Sequence, residues 1–324
     1  MNSQKCLTRL SEKGTTGDDY QRYLDARLRD RLVTPFTATG AIDEDCLRAL
    51  VDRQVNSGVK MLVPCGTTGE SVTMTEAEDQ RVISITVEVA HSRAQVIAGT
   101  GSNSTKSAIE YSQRAVDLGA DAVLQVAPYY NKPTQEGLYA HFSAVARAVP
   151  ETPIILYNVP GRTSSNILPE TVLRLARDYE NIVAIKEASS NLSQIMEILR
   201  QRPAGFRVLS GDDAVTLPLI ALGAEGLISV ASNEVPDLMS RLVELALAGD
   251  WEEARALHYR LLPLMEVNFI ESSPGPVKAA MALLGLLEEN FRLPLVPIQD
   301  KSRERVREVL AALGVLQEST QAFA

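Results

Sequence analysis

The stretch NIVAIKEASS, residues 181–190, decides how this chain is read. Ile182, Val183, Ala184 and Ile185 suit a buried β-strand, and the run then ends in Lys186 with Glu187 behind it. An ammonium at the end of an apolar strand either snorkels to the surface or is held in a pocket for its chemistry. The surface is the common outcome for lysine, so the surroundings of this strand have to decide.

Outward from it the pattern repeats. Short runs rich in Val, Ile and Leu read as strands at Leu32–Phe36, Met61–Cys65, Gln95–Ala98, Ala122–Ala127, Ile154–Tyr157, Val183–Lys186, Arg207–Leu209 and Gly226–Ser229. Longer stretches of helical period, such as Asp43–Ser57 and Thr75–Ala90, lie between them. Strands alternating with helices mean βαβ units and a parallel sheet, and eight such units close most naturally into a (β/α)8 TIM barrel. Pro236–Leu313 reads as further helices. The expected organisation is a polar N-terminal extension over 1–30, a barrel over 31–233 and a C-terminal helical appendage over 234–324. An open doubly wound sheet is the alternative, but no GxGxxG follows the first strand. Gly99-Thr100-Gly101 lacks the third glycine and the Walker lysine spacing.

Composition narrows the function. A net charge of −9 argues against a nucleic-acid partner, which would require a basic face. Mean hydropathy near zero and the lack of any run approaching ~18 apolar residues argue against a membrane span; the N-terminus has no apolar signal core. Cys6, Cys46 and Cys65 form no CxxC pair, which fits buried fillers in a reducing, cytoplasmic compartment. His91, His141 and His258 lack metal-ligand spacing, so no metal is expected.

In a barrel of this type the reactive groups gather at the C-terminal ends of the strands. There the chain places GTTGES (66–71), PYYNKP (128–133), YNVPGRT (157–163), Lys186, SGDD (210–213) and Ile228. A lysine pointing into a barrel is desolvated, which lowers its pKa, and the neutral amine can form a Schiff base with a ketone. Thr67 and Thr68, flanked by glycines, can cradle a small carboxylate, or form an ordinary Gly-rich turn. The Tyr157 phenol can relay a proton, or be a rim aromatic. Arg162 can clamp a second carboxylate, or be plain surface charge. Glu187 should face away from Lys186, because strand neighbours alternate. Asp212 and Asp213 read as helix N-caps.

Taken in order and on these strands, GTTGES, PYYNKP, YNVPGRT and IKEAS closely resemble the dihydrodipicolinate synthase family (4-hydroxy-tetrahydrodipicolinate synthases), within the class I pyruvate aldolases. The resemblance runs from about Leu32 to about Leu313 and includes SPGPVKAA (273–280) and FRLP (291–294). It implies that Lys186 is the Schiff-base lysine, that no cofactor is used, and that the substrates are pyruvate and aspartate semialdehyde. Thr67, Tyr157 and Tyr130 match the proton-relay triad, with Tyr130 reaching in from a neighbouring subunit, so a homodimer is the minimum and a tetramer the usual form. Thr68 would hold the pyruvate carboxylate and Arg162 that of the semialdehyde, while Gly211 and Ile228 match positions whose carbonyls face the site. Sister aldolases such as N-acetylneuraminate lyase share the lysine and tyrosine; they usually carry Ser-Thr in place of Thr67-Thr68 and lack a match to Arg162. A catalytically dead binding barrel would lack the lysine or the tyrosine.

Two departures stand out. Where the family brings small or apolar residues into strand one, this chain has Arg29, Asp30 and Arg31, costly to bury unless paired. Either strand one is short, or the residues before Leu32 are not the family's start. Ser71, Asn103 and Tyr129 match an allosteric lysine pocket. However, Glu76 and Asp79 replace frequent histidines, Ser107 replaces a frequent glutamate, and Glu76 and Asp79 are expected to face water. Weak lysine feedback is the expectation.

Overall fold

The computed structural model describes residues 28–316. Most of the expected N-terminal extension, Cys6 and the last residues of the C-terminal segment lie outside the described residues. The eight strands are β1 (Leu28–Asp30), β2 (Met61–Leu62), β3 (Gln95–Gly99), β4 (Ala122–Val126), β5 (Ile154–Asn158), β6 (Ile182–Glu187), β7 (Arg207–Ser210) and β8 (Leu227–Ser229). They run parallel in sequence order, and β1 pairs with β8 to close the barrel.

Local chemistry explains the helices between them. Glu44–Asn56 starts at Asp43, whose side chain accepts from the Cys46 N–H. Glu76–Ala90 starts with a capping box between Thr75 and Glu78. Thr105–Asp117, Gln135–Ala148, Pro169–Asp178 and Leu192–Gln201 follow β3 to β6, with a short turn of helix at Pro160–Thr163. Thr216–Ala221 follows β7. Pro236–Ala248 packs against β1 and Thr216–Ala221, and so acts as the barrel's eighth helix, inside the segment that sequence analysis gave to the appendage. Trp251–Val267, Gly275–Leu283 and Asp300–Leu313 form the remaining helical layer.

Two apolar layers sit on either side of the sheet. Met61, Val63, Ile97, Leu124, Ile155, Tyr157, Leu209 and Ile228 fill the barrel, and the larger outer cluster packs strands against helices. On β6, Ala184 belongs to the inner layer and Ile185 to the outer one, so Lys186 points inward and Glu187 outward. Glu187 is buried and accepts hydrogen bonds from Asn158, Gln194 and Ser189, as the strand alternation implied.

Strand one differs from the expectation. It is Leu28–Asp30, and the apolar run Leu32–Phe36 is the exit from it. Pro35 has no N–H to give a ladder, and Phe36 instead forms an isolated antiparallel bridge with Ile42. The strand is short and its charges are buried: Arg29 pairs in register with Met61 and Ile228, Asp30 with Leu62 and Ser229. Burial pushes the Asp30 carboxyl up to about 7, against the opposing effects of the Ser232 hydroxyl, Arg53 and Arg31. A carboxyl that takes up a proton this readily and has a hydroxyl donor is far cheaper to bury than a bare anion.

Candidate active site

Register brings the two central residues together. Tyr157 of β5 pairs with Lys186 of β6, and the Lys186 Nζ lies 3.8 Å from the Tyr157 ring centroid. Both side chains are buried. Burial holds the Lys186 ammonium well below its usual range; Arg31 and Arg162 push the same way and Asp213 opposes them. Gly211 lets the lysine pass: a Cβ there would stand 3.1 Å from Lys186 Cε and 2.8 Å from the Ala188 Cβ. Glycine is required by this close approach.

The amine opens into a cavity of about 470 Å³ at the C-terminal ends of the strands, also lined by Thr67, Ser71, Tyr129, Tyr157 and Arg162. The Gly66–Glu70 turn is stitched by Gly69 N–H to Gly66 O and Glu70 N–H to Thr67 O, while the Thr34 hydroxyl donates to Gly69 O at 2.7 Å. Arg162, in the turn Pro160–Thr163 after β5, donates to Ser273 O at 3.4 Å. Gly99 of the GTG stretch lets the β2 and β3 loops meet, since a Cβ there would fall 2.2 Å from Cys65 O.

Other sequence-assigned residues stand elsewhere. Thr68 is buried beside the cavity lining. Tyr130 adopts φ 71 and is 89% exposed, pointing away from this chain's own cavity. Asn103 lies beside it, its carbonyl accepting from Asn131. The carbonyls of Gly211 and Ile228 accept from the Arg31 guanidinium, at 2.8 and 3.1 Å. Sequence reasoning missed Arg31 as a site residue, although its charge in an apolar run was the visible signal.

Two expectations are corrected. Asp213 does not cap a helix: its carboxylate accepts from the Ser229 hydroxyl and from the Val230 N–H, tying β7 to β8, while Asp212 accepts from Ala214 N–H within its own turn. The helix that follows starts at Thr216 and has no side-chain cap. Glu76 and Asp79 do not simply face water; both line the cavity. They sit three residues apart on one helix face, and that face turns inward. Glu76 pairs with Arg114. Asp79 accepts from the Ser71 hydroxyl, and burial pushes its carboxyl up to about 7.

Among the described residues there is no group of three or more His, Cys, Asp or Glu placed to hold a metal ion, and no helix is long and apolar enough to cross a membrane.

A (β/α)8 barrel with one desolvated inward lysine stacked on a tyrosine, and hydroxyls and an arginine around the cavity, defines the class of imine-forming lysine enzymes. The particular family follows from comparison. The Dihydrodipicolinate synthetase family profile matches residues 26–313, and the chain belongs to that family. It is 52% identical over 292 residues, 90% of this chain and 97% of the other, to a 4-hydroxy-tetrahydrodipicolinate synthase of Koribacter versatilis. The dihydrodipicolinate synthase structure from Aquifex aeolicus superposes with a TM-score of 0.88 at 45% identity, covering 90% of this chain and 99% of that one. The chloride-inhibited enzyme from Acinetobacter baumannii, solved in complex with pyruvate, gives 0.87 at 42% identity, with 90% and 99% covered. The match begins at residue 26, so Arg29, Asp30 and Arg31 lie inside the family region.

Proposed function

We propose that this chain is a lyase that condenses pyruvate with aspartate semialdehyde to 4-hydroxy-tetrahydrodipicolinate, the cyclic precursor of diaminopimelate and lysine. The observation that carries this reading is the Lys186 amine, buried and held below its usual pKa against Tyr157. A neutral amine at ordinary pH attacks the pyruvate C2 carbonyl and water leaves, giving a protonated imine. The imine is the electron sink: a proton leaves C3, and the enamine attacks the aldehyde carbon of the second substrate. The amino group of that substrate then attacks the imine carbon, which releases Lys186 and closes the ring. One water is lost overall, and no oxidant or cofactor is needed.

In this reading Thr67, Tyr157 and the Tyr130 of a neighbouring subunit move the protons. Thr68, with the Gly66–Glu70 turn, receives the pyruvate carboxylate, and Arg162 at the mouth receives that of the semialdehyde. The outward-facing, 89% exposed Tyr130 supports a homodimer at least, with a tetramer of two dimers as the family form. Ser71 and Tyr129, which line the same cavity, and Asn103, next in the chain to its lining residue Ser102, are assigned to an effector pocket.

Borohydride reduction in the presence of pyruvate tests the reading. The reduced imine leaves a carboxyethyl group on the nitrogen, and peptide mass spectrometry should find it on Lys186 alone. An adduct on another lysine, or undiminished turnover in Lys186→Ala, would refute the assignment. Efficient cleavage of N-acetylneuraminate would favour the sister lyase, which the presence of Arg162 and Thr67 argues against.

A further inference from the structure

Arg31 enters the barrel from the exit of β1, where the family resemblance called for a small or apolar residue. It is held from both ends. Its main-chain N–H donates to Ser229 O at 3.0 Å and its carbonyl accepts from the Asn233 side chain at 2.7 Å. Its guanidinium spans two strand ends, Nη2 donating to Gly211 O at 2.8 Å and Nε to Ile228 O at 3.1 Å. The side chain is buried, with 6% of its surface exposed. Gly211 is also the residue whose Cβ position falls 3.1 Å from Lys186 Cε. The guanidinium and the lysine stem therefore both approach the same glycine.

We propose that Arg31 is a positioning residue for the Lys186 amine: a fixed cation, pinned to the carbonyls at the ends of β7 and β8, that tunes the nucleophile electrostatically. This inference rests on the reading of Lys186 as the imine-forming residue.

The physical case has three parts. An arginine stays charged whatever its surroundings, whereas a lysine gives up its proton when crowded. Two cations sharing a poorly solvated space therefore resolve by deprotonating the lysine. The charged and titratable groups facing the amine are Arg31 from the β1 exit, Tyr157 and Arg162 from β5 and its following turn, and Asp213 after β7. Cys65 and Asp79 line the same cavity towards β2. Asp213 is the one counter-charge that would hold the proton on, and burial raises its own carboxyl above the usual carboxylate range, which weakens it as a fixed anion. Arg162 lies on the exposed turn at the mouth with one 3.4 Å bond to Ser273 O, whereas Arg31 is buried and held by two guanidinium bonds, so Arg31 is the more firmly fixed of the two cations. Its two carbonyl acceptors also neutralise none of its charge, which a carboxylate partner would do.

The test is the pH dependence of borohydride trapping at fixed pyruvate, followed as the initial rate of adduct on Lys186 in the full-length protein. Wild type should show a midpoint well below that of an ordinary lysine. In Arg31→Met, which keeps length and loses charge, the midpoint should rise by about one unit, slowing trapping below the midpoint roughly tenfold. Arg31→Lys keeps a cation and should stay close to wild type in midpoint, even if the lost fork weakens the fold. A role confined to closing the barrel would lower the melting temperature of both variants and leave the midpoint of folded protein unmoved. An unmoved midpoint in folded Arg31→Met, or Arg31→Lys shifting as far as Arg31→Met, would overturn the proposal. Should Arg31→Met fail to fold, a wild-type midpoint near 10 overturns it just as well. Absence of any adduct on wild-type Lys186 would instead refute the underlying reading of the lysine.

Discussion

Replacing Lys278 with Met should be among the most damaging single changes outside the cavity. Lys278 lies in SPGPVKAA, on the helix Gly275–Leu283, far in sequence from the strands. Its Nζ donates to Glu70 at 2.6 Å and to Asn290 O at 2.7 Å, and both side chains of the ion pair are fully buried. Phe36 and Phe291 flank the ammonium, with ring centroids at 4.6 and 4.8 Å. Glu70 itself sits at φ 54, ends the GTTGE turn and accepts from Thr73 on its carbonyl. Its second carboxylate oxygen has no other hydrogen-bond partner. Lys278→Met keeps the bulk but strands that carboxylate in an apolar site, a loss that costs about 3–5 kcal/mol for buried pairs. In a chain of this size that is a fall in melting temperature of roughly 10 °C. Thermal and urea unfolding at one fixed protein concentration would measure it, since any assembly makes stability concentration-dependent. Glu70→Gln combined with Lys278→Met removes both charges and should recover more than half of the loss. Because the turn carries Thr67 and Thr68, folded Lys278→Met should also show a raised pyruvate KM. A loss under about 1 kcal/mol, or a double variant no better than the single one, would refute the buried-pair reasoning.

Arg162→Lys should raise the KM for aspartate semialdehyde by about tenfold or more while leaving pyruvate trapping nearly intact, because an ammonium cannot copy a guanidinium fork; equal damage to both steps would refute the assignment. Asp79→Asn should stabilise the protein above neutral pH by on the order of a few kcal/mol. The sign follows from a carboxyl raised to about 7 in the fold: the unfolded chain ionises first, so this group costs wild type stability as pH rises from about 4 to 7, and the variant should show a correspondingly shallower slope in urea titrations across that range, the remainder coming from groups such as Asp30. Mixing Tyr130→Phe with Lys186→Ala subunits should restore part of the activity through hybrid dimers, and verified hybrids without recovery would count against a shared site. L-lysine should inhibit weakly at pH 7, because Ser107 supplies no carboxylate, Glu76 is engaged by Arg114 and Asp79 is then about half-protonated; strong sub-millimolar inhibition in a steady-state titration would refute this.

The sequence by itself determined the barrel and the lysine–tyrosine pair inside it. Eight Val/Ile/Leu-rich runs separated by helical periods leave few closed solutions, and period-2 alternation on 182–187 already places Lys186 and Glu187 on opposite faces. Six of the assigned residues, Lys186, Tyr157, Thr67, Arg162, Ser71 and Tyr129, line one cavity, because strand ends in a parallel barrel must converge. Tertiary structure alone decided the rest. Arg31 reaches acceptors 180 and 197 residues away, and Lys278 meets Glu70 across 208 residues. Local pattern carries no term for such meetings, since burial and charge pairing belong to the packed molecule. For the same reason strand one was placed too late: Arg29 and Asp30 are expensive in any local scale, and only the register of β1 with β2 and β8, and the Ser232 hydroxyl waiting for Asp30, make the strand affordable there.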